Sequence, residues 1–284
     1  MSTEKKAIIL GGTGLLGKAL ADKMAGHGVL VDISGRKEGI SGFGFVQLDA
    51  LTCKDYSFLS SYDIVVDCLG QITNPITPCA IINTTASLRI AKAVAGIAAY
   101  YVKISSLAVY GTATAVTEET PCNPDSAYGA LKLASENIFS ELLKKDHFLN
   151  IRLSNLYGDA ANKGVIAYLK REYFGNKSIF FDNDGSLLRY FIHVDDAVNI
   201  IDHLISNAER NYGIINLPGP EQHTVLGLIE TAEQALGITY KTSFKKSDFV
   251  WGNIGDISIE KLTRHTTLSY KHTISDYFKN IAAL

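Results

Sequence analysis

A four-residue apolar run, Ala7-Ile8-Ile9-Leu10, leads without a break into Gly11-Gly12-Thr13-Gly14-Leu15-Leu16-Gly17. A short run of this kind suits a parallel strand buried on both faces. Beyond the glycines, Leu16, Leu20 and Met24 recur at helical spacing, and Gly26 and Gly28 mark the stop. Strand, glycine turn and helix in this order make a phosphate site. Glycines let the backbone approach a pyrophosphate, and the helix N-terminus presents N–H groups and positive partial charge. The glycines fall at 11, 14 and 17, giving G-x-x-G-x-x-G rather than the G-x-G-x-x-G of the standard fingerprint. A glycine motif alone is weak, since tight turns use Gly too; here the flanking strand and helix supply the context. Gly11, Thr13, Gly14, Leu15, Leu16 and Gly17 are the expected dinucleotide cradle.

The second strand is Val29 to Ile33. In an NAD site it ends in an acidic residue about 20 positions after the loop, which takes the ribose 2′-OH. This strand runs instead into Ser34-Gly35-Arg36-Lys37, with Asp32 placed earlier and aimed off the ligand side. Ser34 and Arg36 suit a 2′-phosphate, which a carboxylate would repel. NADP(H) is therefore expected ahead of NAD(H); the alternative is that Arg36 and Lys37 are only a solvated loop. Gln47-Leu48-Asp49 ends a third strand, with Asp49 and Ala50 expected at the adenine edge. Ile64 to Cys68 is a fourth, with Leu69 and Gly70 at its carboxyl end, where ligands bind in open α/β sheets. A helix with Asn83 and the run Ala91 to Ala99 follows, then a fifth strand, Tyr101 to Ser105.

Tyr128 and Lys132, in Asp125 to Glu136, stand four residues apart, so on a helix they share one face. A phenol with an ordinary pKa of about 10 is protonated at neutral pH, and an ammonium group beside it favours the phenolate. Such a pair delivers or removes a proton near pH 7, as carbonyl/alcohol interconversion requires. The spacing alone is common in helices. Ser106 adds to it: 22 residues before Tyr128, it falls at the same rim of the sheet, where a hydroxyl can bond a substrate oxygen. Serines at strand ends also serve as plain turn formers.

Composition excludes other classes. Net charge is −2 and charged residues make up 20%, so no basic excess points to nucleic acid. The N-terminus reads as a buried strand rather than a signal peptide, and no stretch reaches the roughly 18 apolar residues of a membrane helix. The four cysteines, Cys53, Cys68, Cys79 and Cys122, show no C-x-x-C spacing and read as free thiols of a reducing, cytoplasmic compartment, with no metal site.

Taken in order, GGTGLLG, Leu48-Asp49, ISSLAVYG, SAYGALK, IRLSNLYG (Ile151 to Gly158) and LRYFIHVDDAV (Leu188 to Val198) resemble the extended short-chain dehydrogenase/reductase family, in its nucleotide-sugar epimerase/dehydratase/reductase branch. The resemblance covers nearly the whole chain. It implies an α/β fold: a Rossmann-type doubly wound parallel sheet with a small C-terminal substrate-binding lobe. Residues 1–155 are the expected dinucleotide-binding domain, with some later segments returning to it, and 156–284 mainly the lobe. It further implies Tyr128 as acid/base, Lys132 as the group that holds the nicotinamide ribose and lowers the Tyr128 pKa, and Ser106 on the reacting oxygen. Asn155 would meet the sugar nucleotide and Arg189 its phosphates or base, a surface ion pair being the alternative for Arg189. His193 and Asp195 would organise the lobe. A homodimer through helices near residues 80–99 and 126–145 is also implied.

Departures narrow the chemistry. Where 4,6-dehydratases of this branch carry an Asp-Glu pair, this chain has Leu107 and Ala108. Ala108 also stands where the epimerase-reductases that make GDP-fucose carry a cysteine. Reduction of a nucleotide-linked 4-keto-6-deoxysugar with NADP(H) is expected first, and nucleotide-sugar 4-epimerisation with tightly held NAD second. A dinucleotide-sensing regulatory protein without turnover comes third, since such proteins often lose the Tyr or the Lys. Thr224 to Leu236 reads as an amphipathic helix capped by Thr224 and stopped by Gly237, and Ile274 to Leu284 as a final helix. Trp251 is either a base-stacking residue or core filler.

Overall fold

The computed structural model describes residues 5–37, 40–70, 75–207, 211–245 and 252–283. From the N-terminus run β1 (Lys6–Leu10), α1 (Leu15–Gly26), β2 (Leu30–Gly35), β3 (Gly44–Gln47) and β4 (Ile64–Asp67). A helical stretch follows: α2 (Ile76–Ile81), a π-helical turn at Ile82–Ala86 and α3 (Ser87–Ala95). Then come β5 (Tyr100–Ser106), β6 (Ala113–Val116), α4 (Ala127–Leu142), β7 (Phe148–Leu153), β8 (Asn155–Tyr157) and α5 (Val165–Phe174). After β9 (Ser178–Phe181), β10 (Leu188–His193), α6 (Val194–Ser206) and β11 (Gly213–Leu217), the chain ends with β12 (Glu221–Thr224), α7 (Val225–Leu236), β13 (Lys241–Phe244), β14 (Ile254–Ile257), α8 (Glu260–Thr263) and α9 (Ile274–Ala282).

Seven strands form the main sheet in the order β11-β7-β5-β4-β1-β2-β3, every neighbouring pair parallel. This is the doubly wound Rossmann-type sheet expected from the sequence. The strand order reverses between β1 and β4, and a crevice opens outside their carboxyl ends. Alternation along β1 shows why the strand reads as a continuous apolar run. Ala7 and Ile9 face a core shared with Leu20 and Met24 of α1 and Ile201 and Leu204 of α6. Ile8 and Leu10 face the opposite core, with Ile90 of α3 and Phe139 of α4. These four apolar residues of β1 are fully buried.

The chain leaves the sheet after β7 and returns to it with β11, which pairs with β7. Between these strands and after them it builds a second core, where Tyr157, Leu169, Phe191, Leu228 and Phe278 meet. Helix α7 starts where expected: the Thr224 hydroxyl accepts the Gly227 N–H at 3.0 Å, and Gly237 ends the helix at φ +65°. Among the described residues no helix is long and apolar enough to cross a membrane.

Candidate active site

The glycine loop sits at the switch point, packed too tightly for side chains. Gly11 has φ +75°, and a Cβ on Gly17 would lie 2.6 Å from the Gly11 carbonyl oxygen. Gly14 caps α1, whose first turn holds no acidic residue. Thr13 and Gly14 are exposed, Leu15 is half-buried, and Leu16 and Gly17 are buried. This bare backbone at a helix N-terminus fits a dinucleotide pyrophosphate.

The end of β2 differs from expectation at one residue. Ser34 is fully buried, and its Oγ accepts the Gly11 N–H at 3.3 Å. The hydroxyl is turned under the loop, so its part at a cofactor is to shape the loop rather than to meet a 2′-phosphate. β2 extends two residues beyond Ile33 because Ser34 and Gly35 still pair with β3. Arg36 is exposed just beyond the strand. Asp32 lies off the ligand side, accepting the Tyr62 hydroxyl at 2.7 Å and pairing with Lys6 at 3.1 Å. Asp49 follows β3 and accepts the Leu51 N–H at 3.0 Å, with Ala50 buried beside it. Leu69 and Gly70 follow β4, the first half-buried and the second exposed.

Ser106, Tyr128 and Lys132 are brought together by two caps and a glycine. The Ser126 hydroxyl accepts the Gly129 N–H at 3.0 Å and starts α4 just before Tyr128. A Cβ on Gly129 would lie 2.3 Å from the Ala108 carbonyl oxygen, so only glycine lets α4 close onto the end of β5. Ser106 caps the short turn Leu107–Val109, its Oγ accepting the Ala108 N–H at 3.2 Å. Burial pushes the Tyr128 phenol up, while the Ser106 hydroxyl bonded to it and the Lys103 charge pull it back. Lys132 is 3% exposed, and its Nζ donates to the carbonyls of Ile104 at 3.1 Å and Leu69 at 3.5 Å. That nitrogen lies 6.0 Å from the Tyr128 ring centroid. Burial lowers the Lys132 pKa, and Asp67 works against that.

Besides Ser106, the two residues expected at the substrate, Asn155 and Arg189, are engaged with the protein itself. Asn155 is exposed and donates to the Tyr190 carbonyl at 3.1 Å. The Arg189 Nη1 donates to the carbonyls of Leu188 at 2.8 Å and Gly252 at 2.9 Å. It thus ties β10 to the segment before β14, and among the described residues Arg189 forms no salt bridge. His193 caps α6, its Nδ1 accepting the Asp195 N–H at 3.2 Å. His193, Asp195 and His272 place donor atoms within 4.8 Å of one another. However, the two imidazoles stack at 4.0 Å with planes 17° apart, so their in-plane lone pairs run side by side rather than meeting on one cation. Trp251 lies outside the described residues.

The sequence reading missed two buried ion pairs beneath the trio, Asp67–Lys103 at 2.7 Å and Glu136–Arg152 at 2.8 Å. A signal existed: Lys103 and Asp67 each interrupt an apolar strand, and such residues are almost never fully buried unless paired.

A doubly wound sheet with a Ser-Tyr-Lys cluster at its carboxyl rim is the arrangement of a dinucleotide-binding class of protein able to move a proton beside the crevice. The chain belongs to the NAD dependent epimerase/dehydratase family, whose model matches residues 7–217. It is 29% identical over 224 residues to the UDP-glucose 4-epimerase of Mycolicibacterium smegmatis, covering 68% of this chain and 71% of that one. It is 26% identical over 233 residues to the methionine adenosyltransferase 2 subunit beta of Xenopus tropicalis, covering 78% of this chain and 69% of that one. The fold matches UDP-glucuronic acid 4-epimerase from Bacillus cereus, solved with UDP-glucuronic acid and NAD, at TM-score 0.87 and 22% identity over 98% of each chain.

Proposed function

We propose that this chain oxidises and re-reduces carbon 4 of a nucleotide-linked sugar, acting as a 4-epimerase. The observation that carries the reading is the convergence of Ser106, Tyr128 and Lys132 beside Leu107 and Ala108, which offer no carboxylate. The site thus has the groups to move one hydroxyl proton and lacks those for eliminating water. Gly11, Gly14 and Gly17 with the start of α1 would hold the pyrophosphate of a dinucleotide, Asp49 and Ala50 its adenine side, and Leu69, Gly70 and Lys132 the nicotinamide ribose side. When bound, the nicotinamide supplies a hydride acceptor and donor. Tyr128 takes the proton of the 4-hydroxyl during oxidation and returns it during reduction. Ser106 hydrogen-bonds the same oxygen, and the Lys132 charge favours the phenolate that accepts the proton in the oxidation and is re-formed by the reduction. Epimerisation moves ahead of the ketoreduction expected from the sequence because the 29%-identical relative is a UDP-glucose 4-epimerase.

A second reading, one-way reduction of a 4-keto-6-deoxysugar by NADPH, is favoured by the end of β2, where Arg36 is exposed and Asp32 is turned away to Tyr62 and Lys6. Release of cofactor from the purified protein decides between them. Retained NAD that does not exchange supports the epimerase. An empty protein that prefers NADPH tenfold, about 1.4 kcal/mol, supports the reductase. The reading includes a homodimer through α3 and α4, supported by Leu88, 40% exposed on α3; light scattering that finds only monomer removes that part.

A further inference from the structure

We infer that Asp67, paired with Lys103, is a positioning residue that fixes the carbonyl on which Lys132 rests and holds the charges around Lys132 and Tyr128. Asp67 is 1% exposed and Lys103 fully buried, side by side in register on β4 and β5. All of the carboxylate's oxygens are used. Oδ2 accepts the Lys103 ammonium at 2.7 Å and the Tyr101 hydroxyl at 2.6 Å, and Oδ1 accepts the Leu69 N–H at 2.8 Å.

That last bond links the pair to the candidate active site. The Leu69 N–H is held by Asp67, and the Leu69 carbonyl receives the Lys132 ammonium. The other carbonyl on Lys132 belongs to Ile104, next to Lys103. The unit also reaches α4 directly. The Tyr101 ring stacks on Phe139 at 4.4 Å, and the Lys103 Nζ lies 5.4 Å from the same ring. One carboxylate therefore sets the turn after β4, the end of β5 and the middle of α4.

A buried ion pair is a poor source of stability, because desolvating two charges cancels most of their attraction. Its effect here lies in placement and field. The titratable groups around Lys132 are Asp67 and Cys68 at the end of β4, Cys79 on α2, Lys103 on β5, and Tyr128 and Glu136 on α4. Among the groups acting on Lys132, Asp67 is the leading one that favours the charged ammonium, and Lys103 lowers the Tyr128 pKa. Loss of the Lys103 charge raises the phenol pKa, whereas loss of the Asp67 charge alone leaves Lys103 unbalanced and lowers it.

The test uses Asp67→Asn, which keeps an acceptor for the Leu69 N–H, and Asp67→Asn with Lys103→Met, which leaves no unpaired buried charge and stands in where the single variant fails to fold. The near-ultraviolet phenolate titration of each protein, taken as the difference from its Tyr128→Phe counterpart, reads Tyr128 without any substrate. We expect the Tyr128 titration to move up by about one pH unit in the double variant, which loses the Lys103 charge, and down in Asp67→Asn, which keeps it, with the acid limb of kcat/KM for sugar oxidation moving alike. An unchanged Tyr128 titration in a folded variant overturns the inference. It rests on the proposed function only for the kinetic limb: a shifted titration in a protein that turns over no nucleotide sugar upholds the inference and sinks that function instead.

Discussion

Arg152 grips Glu136 at two points, through Nε at 3.1 Å and Nη2 at 2.8 Å from the same Oε2, and both side chains are under 5% exposed. The other carboxylate oxygen takes the Ser105 hydroxyl. Arg152 also donates to the Tyr110 hydroxyl at 2.8 Å, and Tyr110 to Asn216 of β11 at 2.8 Å. Glu136 stands two turns beyond Tyr128 on the same face of α4, so this network anchors the helix that carries the phenol.

Breaking it from one side strands a buried charge. Glu136→Leu alone is expected to cost about 3–5 kcal/mol, whereas Glu136→Leu with Arg152→Met costs clearly less. Urea unfolding of the two variants checks this; equal losses would mean that the pair is not coupled.

Tyr128→Phe keeps the ring and removes the proton. Turnover of a nucleotide sugar should fall by about 10²–10⁴-fold while dinucleotide still raises the melting temperature. Full activity in that variant would favour a non-catalytic role.

Gly129→Ala tests the closure of α4 onto β5. The added methyl carbon would meet the Ala108 carbonyl oxygen at 2.3 Å. Overpacking of this kind costs about 1–3 kcal/mol, and the shift separates Tyr128 from Ser106. Expected is a fall in kcat larger than the loss of stability explains, compared in a folded sample well below its melting point.

His193 gives stability a pH dependence. Burial lowers its pKa, with the neighbouring His272 acting in the same direction. The unfolded chain therefore binds a proton first as the pH falls. The contribution is fully present above the ordinary imidazole value of about 6.5 and is lost as the pH drops through the folded value below it. His193→Asn retains a capping acceptor for α6 without titrating. Its melting temperature should fall less than that of the parent protein between pH 7 and pH 5, as calorimetry would show.

What was legible in the sequence was whatever depends on neighbours along the chain. The β1 run, the glycine loop, the Thr224 cap and the Gly237 stop are local patterns, and the structure has them in place. The ion pairs were not legible, because Asp67 and Lys103 are 36 residues apart and meet only once β4 and β5 are known to be adjacent. Ser34 illustrates the same limit. Its position after Ile33 suggested a ligand contact, but the partner that claims its hydroxyl, Gly11, lies on another strand's loop.

The return of β11 also bears on how the protein can be made. Until Leu217 has left the ribosome, β7 has no partner on its outer side, and until Ser206 has, the face of α1 that α6 covers is bare. An unpaired strand edge is a template for pairing with other chains. A fragment stopped at residue 155 would carry the whole glycine loop and the Ser-Tyr-Lys cluster on an unfinished sheet. The nucleotide half is therefore not a detachable module, and its last strand is supplied by a stretch synthesised after the part of the second core that separates it from β7.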